Sequence, residues 1–226
     1  MELSPRLQAI AQQVPQGTRL ADIGTDHGYL PVWLLLNSRI ECAIAADLRA
    51  GPLDRARAAA RRFGQTDRIS FRLCDGLDGI DADEVNTIAI AGMGGETIAA
   101  ILEAAPWTRR DKCLLLQPMT GAPKLRQWLQ SQGYAILHEE IAREGEKLYS
   151  IWNVKGGAMP PLSPAEQWAG VNRASALRLD YLRMVEGKVR KALVGHRNSQ
   201  APDKEAISYL DEVLAGLREM RKELEA

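Results

Sequence analysis

Two carboxylates and a histidine lie close together in residues 20–31, which read LADIGTDHGYLP. The apolar residues before Gly24 predict a strand, and those after Gly28 predict a helix. A tight turn between a strand and a helix brings backbone N–H groups and the N-terminus of the helix close to a ligand. We therefore interpret this stretch as a turn that holds a nucleoside cofactor and presents Asp26 to a substrate.

Asp26 sets this turn apart from the glycine-rich turns of dinucleotide-binding folds. The pattern Gly24-x-Asp26-x-Gly28 has a carboxylate where the second glycine of G-x-G-x-x-G would approach a pyrophosphate. Repulsion between such close charges near a surface costs roughly 1 kcal/mol or more. A cofactor with positive centres and no phosphate suits the turn better, and S-adenosylmethionine carries a sulfonium and an α-ammonium group. The pattern therefore favours methyl transfer over hydride transfer.

Acidic and glycine residues also follow the other predicted strands. Ligands of an open parallel sheet bind at the carboxyl ends of its strands, so these residues should meet. Asp47, about 20 residues beyond the turn, could accept hydrogen bonds from ribose hydroxyls, and Asp75 could accept one from the exocyclic amine of adenine. Each residue alone fits an ordinary turn or helix cap, but together they indicate a nucleoside pocket. The predicted strand-end residues are Asp22, Gly24, Asp47, Asp75, Gly76, Gly92, Met93, Gly94, Gln117 and Pro118.

Alternating strands and helices position these residues. The predicted strands cover residues 19–23, 42–46, 69–73, 85–91, 112–116, 134–141 and 147–154, and the predicted helices cover residues 3–14, 29–36, 53–63, 96–103 and 124–132. Such alternation is typical of parallel βαβ units. The last two strands have no helix between them and should pair as a hairpin at one edge. This order predicts an α/β fold of the Rossmann-like methyltransferase class.

A Gly-Gly pair followed by Pro-Pro marks a change of composition, and we expect a domain boundary there. Residues 1–157 would form the Rossmann-like domain and residues 158–226 a helical appendage. Apolar residues from 168 to 189, including Val171, mark one face of a first appendage helix. A seven-residue apolar repeat over residues 207–224 favours close helix packing. The appendage is therefore predicted to be an antiparallel helical hairpin that resembles a coiled coil.

The chain of 226 residues carries 29 Lys and Arg and 29 Asp and Glu residues. This balance argues against a protein that coats nucleic acid, although it allows a local basic face.

Cys42, Cys74 and Cys113 are scattered, without a CxxC pair or a His/Cys cluster, so we expect buried reduced thiols and no metal site. No apolar stretch is long enough to cross a bilayer, and the N-terminus lacks a signal-peptide pattern. We expect a cytoplasmic protein without membrane association.

Three motifs, in this order, resemble the bacterial tRNA (adenine(22)-N(1))-methyltransferases, the TrmK family. They are ADIGTDHGYLP at residues 21–31, IAGMGG at residues 90–95 and LLQPM at residues 115–119, and the resemblance covers nearly the whole chain. It implies S-adenosylmethionine as the methyl donor, N1 of a tRNA adenine as the acceptor and a catalytic role for Asp26. AGMGG stands where N6-adenine enzymes typically carry an Asn-Pro-Pro-aromatic motif, which weakens an N6 assignment. The cofactor-binding residues that the resemblance implies are Asp22, Gly24, His27, Asp47, Asp75 and Gly76, to which we add Leu48, Gly92 and Met93.

The chemistry of N1 suggests what Asp26 could contribute. The N1 lone pair attacks the methyl group in line, and the adenine becomes cationic. A carboxylate within hydrogen-bond reach of the exocyclic N6 would stabilise that charge or take a proton, and such help is typically worth about 10²–10⁴-fold in rate. Asp26 could instead cap the following helix or bind the methionine ammonium, and the sequence leaves these roles open. We expect His27 to shape the loop rather than to act as the base.

Two groups of basic residues could hold a tRNA by its phosphates while the target base leaves its stack. One group lies on the helix predicted over residues 53–63, and the other on the first appendage helix. Arg183, Arg190 and Arg197 are seven residues apart and share one helix face. A solvated surface would show the same residues, but their clustering favours contact with tRNA. The predicted RNA-binding residues are Arg55, Arg61, Arg62, Arg183, Arg190 and Arg197, with further candidates at Arg57, Arg173, Arg178, Lys188, Lys191 and His196.

Two other functions remain open at this point. A methyltransferase that acts on another RNA, a protein or a small molecule would share the pocket, but the basic appendage helix argues against the last two substrates. A non-catalytic RNA-binding module could keep an inherited fold, but the intact set of strand-end residues argues against it. We expect a monomer without a protein partner, although the heptad would serve a dimer as well as an intramolecular hairpin.

Overall fold

The computed structural model describes residues 1–172, 174–199 and 201–225. In this part of the chain, seven strands form one sheet flanked by helices, and a helical segment follows it. The strands are β1 (Thr18–Ile23), β2 (Ile40–Asp47), β3 (Ile69–Leu73), β4 (Thr87–Gly94), β5 (Cys113–Thr120), β6 (Tyr134–Glu144) and β7 (Lys147–Gly156). The α-helices are α1 (Pro5–Gln13), α2 (Tyr29–Leu36), α3 (Ala50–Arg62), α4 (Gly95–Ala104), α5 (Ala122–Ser131), α6 (Pro164–Ala169), α7 (Arg178–Arg197) and α8 (Lys204–Glu225).

The sheet has the strand order β3-β2-β1-β4-β5-β7-β6. Strands β1 to β5 are parallel, and β7 runs antiparallel between β5 and β6. The α/β fold and the terminal hairpin predicted from the sequence are confirmed. The strand order reverses between β1 and β4, and such a reversal opens a crevice at the carboxyl ends of the strands.

Strands β4 and β5 are longer than the sequence predicts. The first ends at Gly94 rather than at residue 91, and the second at Thr120 rather than at residue 116. Gly94 pairs with Thr120 across the two strands. Glycine has a low strand propensity, which pairing with a neighbouring strand overrides here. The AGMG motif is therefore held as part of the sheet.

Two hydrophobic cores lie on the two faces of the sheet. Successive side chains of a strand point to opposite faces; in β1, Leu20 packs in one core and Ala21 in the other. The first core includes residues of α1, α2 and α3, such as Ile10, and the second includes residues of α4 and α5, such as Ile98. Strand β1 is therefore packed on both faces up to Ile23, next to the turn that follows it.

Helices α7 and α8 pack as an antiparallel pair. Arg183 near the start of α7 lies 3.6 Å from Glu225 at the end of α8, and Arg197 at the end of α7 lies 2.8 Å from Asp211. A third core between these helices and α6 includes Leu182 from α7. The predicted helical hairpin is confirmed.

The first appendage helix is interrupted, which its apolar pattern does not predict. Helix α6 ends at Ala169 and α7 begins at Arg178. Between them Gly170 adopts φ +70°, and the Glu139 carboxylate fills the space that a side chain would need there. The chain therefore leaves the helix, and Val171 is exposed instead of lying on the core face.

A buried ion pair fastens the helical segment to the sheet. Arg126 of α5 donates to Glu139 of β6, with Nη2 and Oε2 2.8 Å apart, and both side chains are almost fully buried. The same guanidinium donates to the backbone carbonyl of Gln167 in α6 at 2.9 Å and lies 4.2 Å from the Trp152 ring. Removing one partner from such a pair would leave an uncompensated buried charge.

The three cysteines are free, with Cys113 buried, Cys74 partly buried and Cys42 exposed. The predicted burial is therefore wrong for Cys42, which follows a register shift between β1 and β2 and is exposed although Ile40 before it is buried. Across the described ranges, no group of three or more His, Cys, Asp and Glu side chains could hold a metal ion. No helix in those ranges has the length and apolarity that a bilayer crossing requires.

Candidate active site

The turn after β1 is fixed by its backbone. Gly24 has φ +74°, a conformation that glycine adopts far more readily than other residues. Gly24 and Thr25 both donate their N–H groups to the carbonyl of Ala46 in β2, at 2.8 and 3.0 Å. A side chain at Gly24 would also collide with the methyl group of Met93. The sequence DIGTDHG therefore folds into a tight turn that faces the end of β4.

A cavity of about 640 Å³ opens at the carboxyl ends of β1, β2 and β4. The structure brings together on its wall the predicted residues Asp22, Gly24, Asp26, His27, Asp47, Gly92 and Met93. Glu2, Ser4, Arg6 and Leu7 line it as well, and sequence reasoning missed them. The sequence predicted a helix over residues 3–14 but carried no signal that this helix packs beside the pocket.

Asp22 and Asp47 form a buried acidic pair inside this cavity, each only 8% exposed. Burial raises the pKa of Asp22 to about 6, an effect that the nearby Thr25 hydroxyl opposes and the Asp47 carboxylate increases. Asp47 accepts a hydrogen bond from the backbone N–H of Arg49 at 2.9 Å. Buried charge is costly unless an opposite charge or hydrogen-bond donors meet it. The pair is therefore suited to a ligand that brings a cation or hydroxyl donors.

Asp26 has the opposite environment. Its side chain is 66% exposed and forms an ion pair with Arg55 of α3, while its other carboxylate oxygen lies 3.4 Å from His27 Nε2. The hydrogen bond from Arg55 holds the pKa of Asp26 below its ordinary value, with the His27 and Arg49 charges acting in the same direction. The His27 ring stacks on Tyr29, with centroids 5.1 Å apart. Asp26 is thus a permanent anion at the mouth of the cavity.

The AGMG segment is held by a buried glutamine. Gln117 of β5 accepts hydrogen bonds through Oε1 from the Gly92 N–H at 3.1 Å and from Arg6 Nη1 at 2.8 Å. Arg6 also approaches Glu144, with Nε and Oε2 3.9 Å apart. This network connects α1, β4 and β5 at the cavity wall. It fixes the Gly92 backbone at the end of β4.

Three predicted cofactor residues lie outside this cavity. Leu48 is 65% exposed beyond the end of β2. Asp75 lines a different cavity together with Glu96, and Gly76 packs closely against Ile101. Cys74 donates its backbone N–H to the Asp47 carbonyl at 3.1 Å, so the chain that leads to Asp75 passes beside the site. The structure thus places Asp75 near the end of β2 but in a different cavity from the acidic pair.

Comparison with known proteins identifies the family. Residues 3–152 match the methyltransferase domain family. The chain is 40% identical over 159 residues to the tRNA (adenine(22)-N(1))-methyltransferase of Bacillus subtilis (strain 168), an alignment that spans 70% of this chain and 66% of that relative. It superimposes on the B. subtilis M1A22 tRNA methyltransferase TrmK with a TM-score of 0.82 at 32% identity, over 100% of this chain and 99% of that one. The chain belongs to the TrmK family.

A second TrmK structure gives the same result. M. capricolum TrmK, in complex with the cofactor product S-adenosylhomocysteine, superimposes with a TM-score of 0.77 at 28% identity, over 100% of this chain and 99% of that one. The family that the three sequence motifs predicted is therefore confirmed. The TrmK likeness extends through the helical segment, because both superpositions include it.

The appendage arginines of this TrmK family member pair with acidic residues of their own segment. Arg183 lies 3.7 Å from Asp180 and 3.6 Å from Glu225, Arg190 lies 2.5 Å from Glu186, and Arg197 lies 2.8 Å from Asp211. Arg183 and Arg197 are exposed together with their partners, so these pairs are weak and a phosphate could compete for them. Arg190 is exposed, but its partner Glu186 is buried. Arg178 is buried and donates to the carbonyls of Ala169 and Gly170, so an RNA-binding role for it is wrong. Arg173 lies outside the described residues.

The arginines of α3 fall into two groups. Arg55 pairs with Asp26, and Arg57 lies 3.1 Å from Asp54 with its guanidinium 5.2 Å from a neighbouring aromatic ring. Arg61 and Arg62 are exposed in the last turn of the helix. The structure therefore gives Arg55 a partner in the active site and leaves the end of α3 as a basic surface.

Proposed function

We propose that this chain transfers a methyl group from S-adenosylmethionine to N1 of adenine 22 in tRNA. The observation that carries the proposal is the contrast within one turn between buried Asp22, whose pKa is about 6, and exposed Asp26, which Arg55 keeps anionic. The first suits a cationic cofactor, and the second suits an acceptor base that becomes cationic. The relatives named above support the same activity.

The residues of the cavity fit S-adenosylmethionine. The cofactor supplies an electrophilic methyl group on a sulfonium and carries an α-ammonium, and neither group would be repelled by the acidic wall. Asp22 and Asp47 would bind the positive amino-acid end and the ribose hydroxyls. Ser4 Oγ, on the same wall, is buried without a hydrogen-bond partner among the described residues and could meet a polar ligand atom. We assign the cofactor contacts to Asp22, Gly24, His27, Asp47, Gly92 and Met93, with Leu48, Asp75 and Gly76 at the adenine end.

Asp26 acts in this proposal as a charge stabiliser rather than a general base. N1 attacks with a lone pair, so no proton needs to leave before the methyl group is transferred. A carboxylate whose pKa is lowered by Arg55 is a weak base but a stable anion. Hydrogen bonding from the exocyclic N6 to Asp26 would offset the charge that develops on the base. His27 orients Asp26 and packs on Tyr29.

The domain roles are part of the proposal. Residues 1–157 would carry the chemistry, and residues 158–226 would contact the tRNA. The exposed arginines Arg61 and Arg62 and the ion-paired Arg183, Arg190 and Arg197 would exchange solvent or carboxylate partners for phosphates. We further propose that the enzyme is a cytoplasmic monomer, in which α7 covers the heptad face of α8, and sedimentation at micromolar concentration checks the monomeric state.

Incubation with labelled S-adenosylmethionine and unmodified tRNA tests the activity. We expect 1-methyladenosine at position 22, located by mass mapping of the digested tRNA. A product methylated at N6, or no RNA product, would contradict the proposal. Methylation of protein or small molecules with no RNA product would favour the other methyltransferase class, and failure to bind S-adenosylhomocysteine would favour a non-catalytic module.

The Asp26→Asn variant tests the role of the carboxylate. It should bind S-adenosylhomocysteine as the wild-type protein does but lose about 10²-fold or more in kcat, as expected for removal of one group aimed at developing charge. The matched control is Asp54→Asn, an exposed aspartate on α3 that does not line the cavity. Loss of cofactor affinity with residual turnover would move Asp26 to the binding role. A control that loses equal turnover would show that charge on α3 matters in general.

Arg61→Glu combined with Arg62→Glu tests the basic end of α3. The pair should raise the KM for tRNA and leave the affinity for S-adenosylhomocysteine unchanged, because phosphate contacts are lost while the cavity is intact. Arg110→Glu is the control, since Arg110 is exposed just before β5, at the amino end of that strand and away from the cavity. An equal KM for tRNA in the double variant and the control would show that this surface does not contact tRNA.

A further inference from the structure

A second cavity, of about 920 Å³, lies between the sheet and the helical segment. One wall is formed by the end of β5 and the start of α5, and a second by the turn between β6 and β7. The helices α6, α7 and α8 close the third side. None of the residues that we assign to the cofactor lines it. The cavity is thus a separate site that exists only because the helical segment is fastened to the sheet.

Six side chains with an aromatic ring or a thioether line this cavity. Its aromatic and methionine side chains are Tyr149, Trp168, Tyr181, Tyr209, Met119 and Met184. Met119 is 44% exposed, so an apolar surface is open to solvent here. Flat aromatic surfaces of this kind stack with nucleobases whatever their sequence. The lining therefore favours a planar aromatic ligand.

The rim of the cavity is basic. Lys124, Lys147 and Lys188 contribute ammonium groups, and Glu146 is the acidic residue that accompanies them. Lys124 also pairs with Glu96 at 3.3 Å, but both side chains are highly exposed and the pair is weak. The excess of positive charge around an aromatic interior favours a ligand that joins a planar base to a phosphate.

The cavity adjoins the acceptor side of the active site. Met93, which lines the cofactor cavity, pairs across the sheet with Pro118, which lines the second cavity. Gln117, between the two, holds the Gly92 backbone. A ligand in the second cavity would therefore lie along the same edge of the sheet as the methyl acceptor.

We propose that this second cavity binds a nucleotide of the tRNA substrate other than the methylated adenine. The base stacks among the aromatic side chains, and the lysines hold its phosphates. This inference rests on the proposed function, since it takes tRNA as the substrate. It gives the helical segment a specific role, because the segment completes a base-binding cavity that the sheet alone does not contain.

A charge reversal on α7 tests the inference. Lys188→Glu changes a residue of the cavity rim, whereas Lys204→Glu changes an exposed lysine of α8 that does not line the cavity. We expect Lys188→Glu to weaken binding of unmodified tRNA about tenfold more than Lys204→Glu, because only the first lysine faces a bound phosphate. Calorimetry with S-adenosylhomocysteine should give the same Kd for both variants and for the wild-type protein.

Fluorescence of Trp168 gives an independent readout. Binding of tRNA should quench the wild-type tryptophan emission, and Trp168→Phe should remove most of that quenching while it keeps the affinity for S-adenosylhomocysteine. Equal tRNA affinities for the two lysine variants, or quenching that persists in Trp168→Phe, overturn the inference while 1-methyladenosine formation by the wild-type protein stands. If the wild-type protein forms no 1-methyladenosine, the proposed function fails and this inference fails with it.

Discussion

Replacement of Asp22 by asparagine should make the ligand-free protein more stable at neutral pH. Asp22 is buried beside Asp47, and its pKa is about 6 in the folded protein against 3.8 for an exposed aspartate. The raised pKa means that the folded state favours the protonated carboxyl. The contribution of the protonated Asp22 carboxyl to stability is therefore fully present below pH 3.8 and is lost as the pH rises through 6. Asparagine has no charge to bury, so the variant escapes this loss.

The size of the effect follows from the two pKa values of Asp22. A shift from 3.8 to about 6, at about 1.4 kcal/mol per unit, makes the charged carboxylate cost about 3 kcal/mol of folding free energy at pH 8. At pH 5 the same relation gives about 1.6 kcal/mol, because the folded protein is still mostly protonated there. The free energy of unfolding of Asp22→Asn, relative to the wild-type value at the same pH, should therefore be about 1.4 kcal/mol higher at pH 8 than at pH 5.

Urea unfolding of the two ligand-free proteins at several pH values between 5 and 8 measures this difference. Any loss of hydrogen bonding by asparagine adds a constant offset, so only the change with pH is diagnostic. Asp67→Asn serves as the control, since Asp67 is exposed and is not buried by folding. A stability difference between Asp22→Asn and wild type that stays constant from pH 5 to pH 8 would refute the reasoning.

Further predictions concern the cofactor, the buried ion pair and the AGMG segment. The wild-type affinity for S-adenosylhomocysteine, measured by calorimetry, should weaken as the pH falls below about 6, because protonated Asp22 no longer attracts the ammonium, and Asp22→Asn should lack this dependence. Arg126→Met should lower the free energy of unfolding by about 3–5 kcal/mol, since Glu139 is left charged and buried, and Glu139→Leu in the same protein should recover much of it in urea titrations. Gln117→Ala should raise the KM for S-adenosylmethionine about tenfold in steady-state kinetics, because the Gly92 N–H loses its acceptor.

The fold could be predicted from sequence because local signals and packing agree through most of the sheet. Apolar strands that alternate with amphipathic helices specify parallel βαβ units with little ambiguity. The break after α6 could not be predicted in this way. Gly170 leaves the helix with φ +70°, and the Glu139 carboxylate, more than thirty positions earlier, occupies the space that a side chain would need there. Such a constraint becomes visible only when the distant strand is in place.

The candidate active site likewise has features that the sequence predicts and features that it does not. Residues at strand ends could be gathered from sequence, because the carboxyl ends of parallel strands always share one edge. The contribution of Arg6 depends on where α1 packs, which no local pattern specifies. The ion pairs of the appendage could not be predicted from the sequence for a similar reason. Arg197 meets Asp211 only through the register of α7 against α8, and helical periodicity alone does not define that register.

Asp22 and Asp26 show how one turn can serve two kinds of positive charge. Gly24 turns the chain between them, so that the first carboxylate faces the buried side and the second faces solvent. A desolvated carboxylate with a raised pKa gains most when a permanent cation arrives, because the attraction acts in a medium of low dielectric constant. A carboxylate that Arg55 already keeps ionised needs no proton transfer before it can offset charge on a base. In the proposed mechanism, environments that push the two pKa values apart would thereby separate the two roles, binding for Asp22 and stabilisation of the cationic product for Asp26.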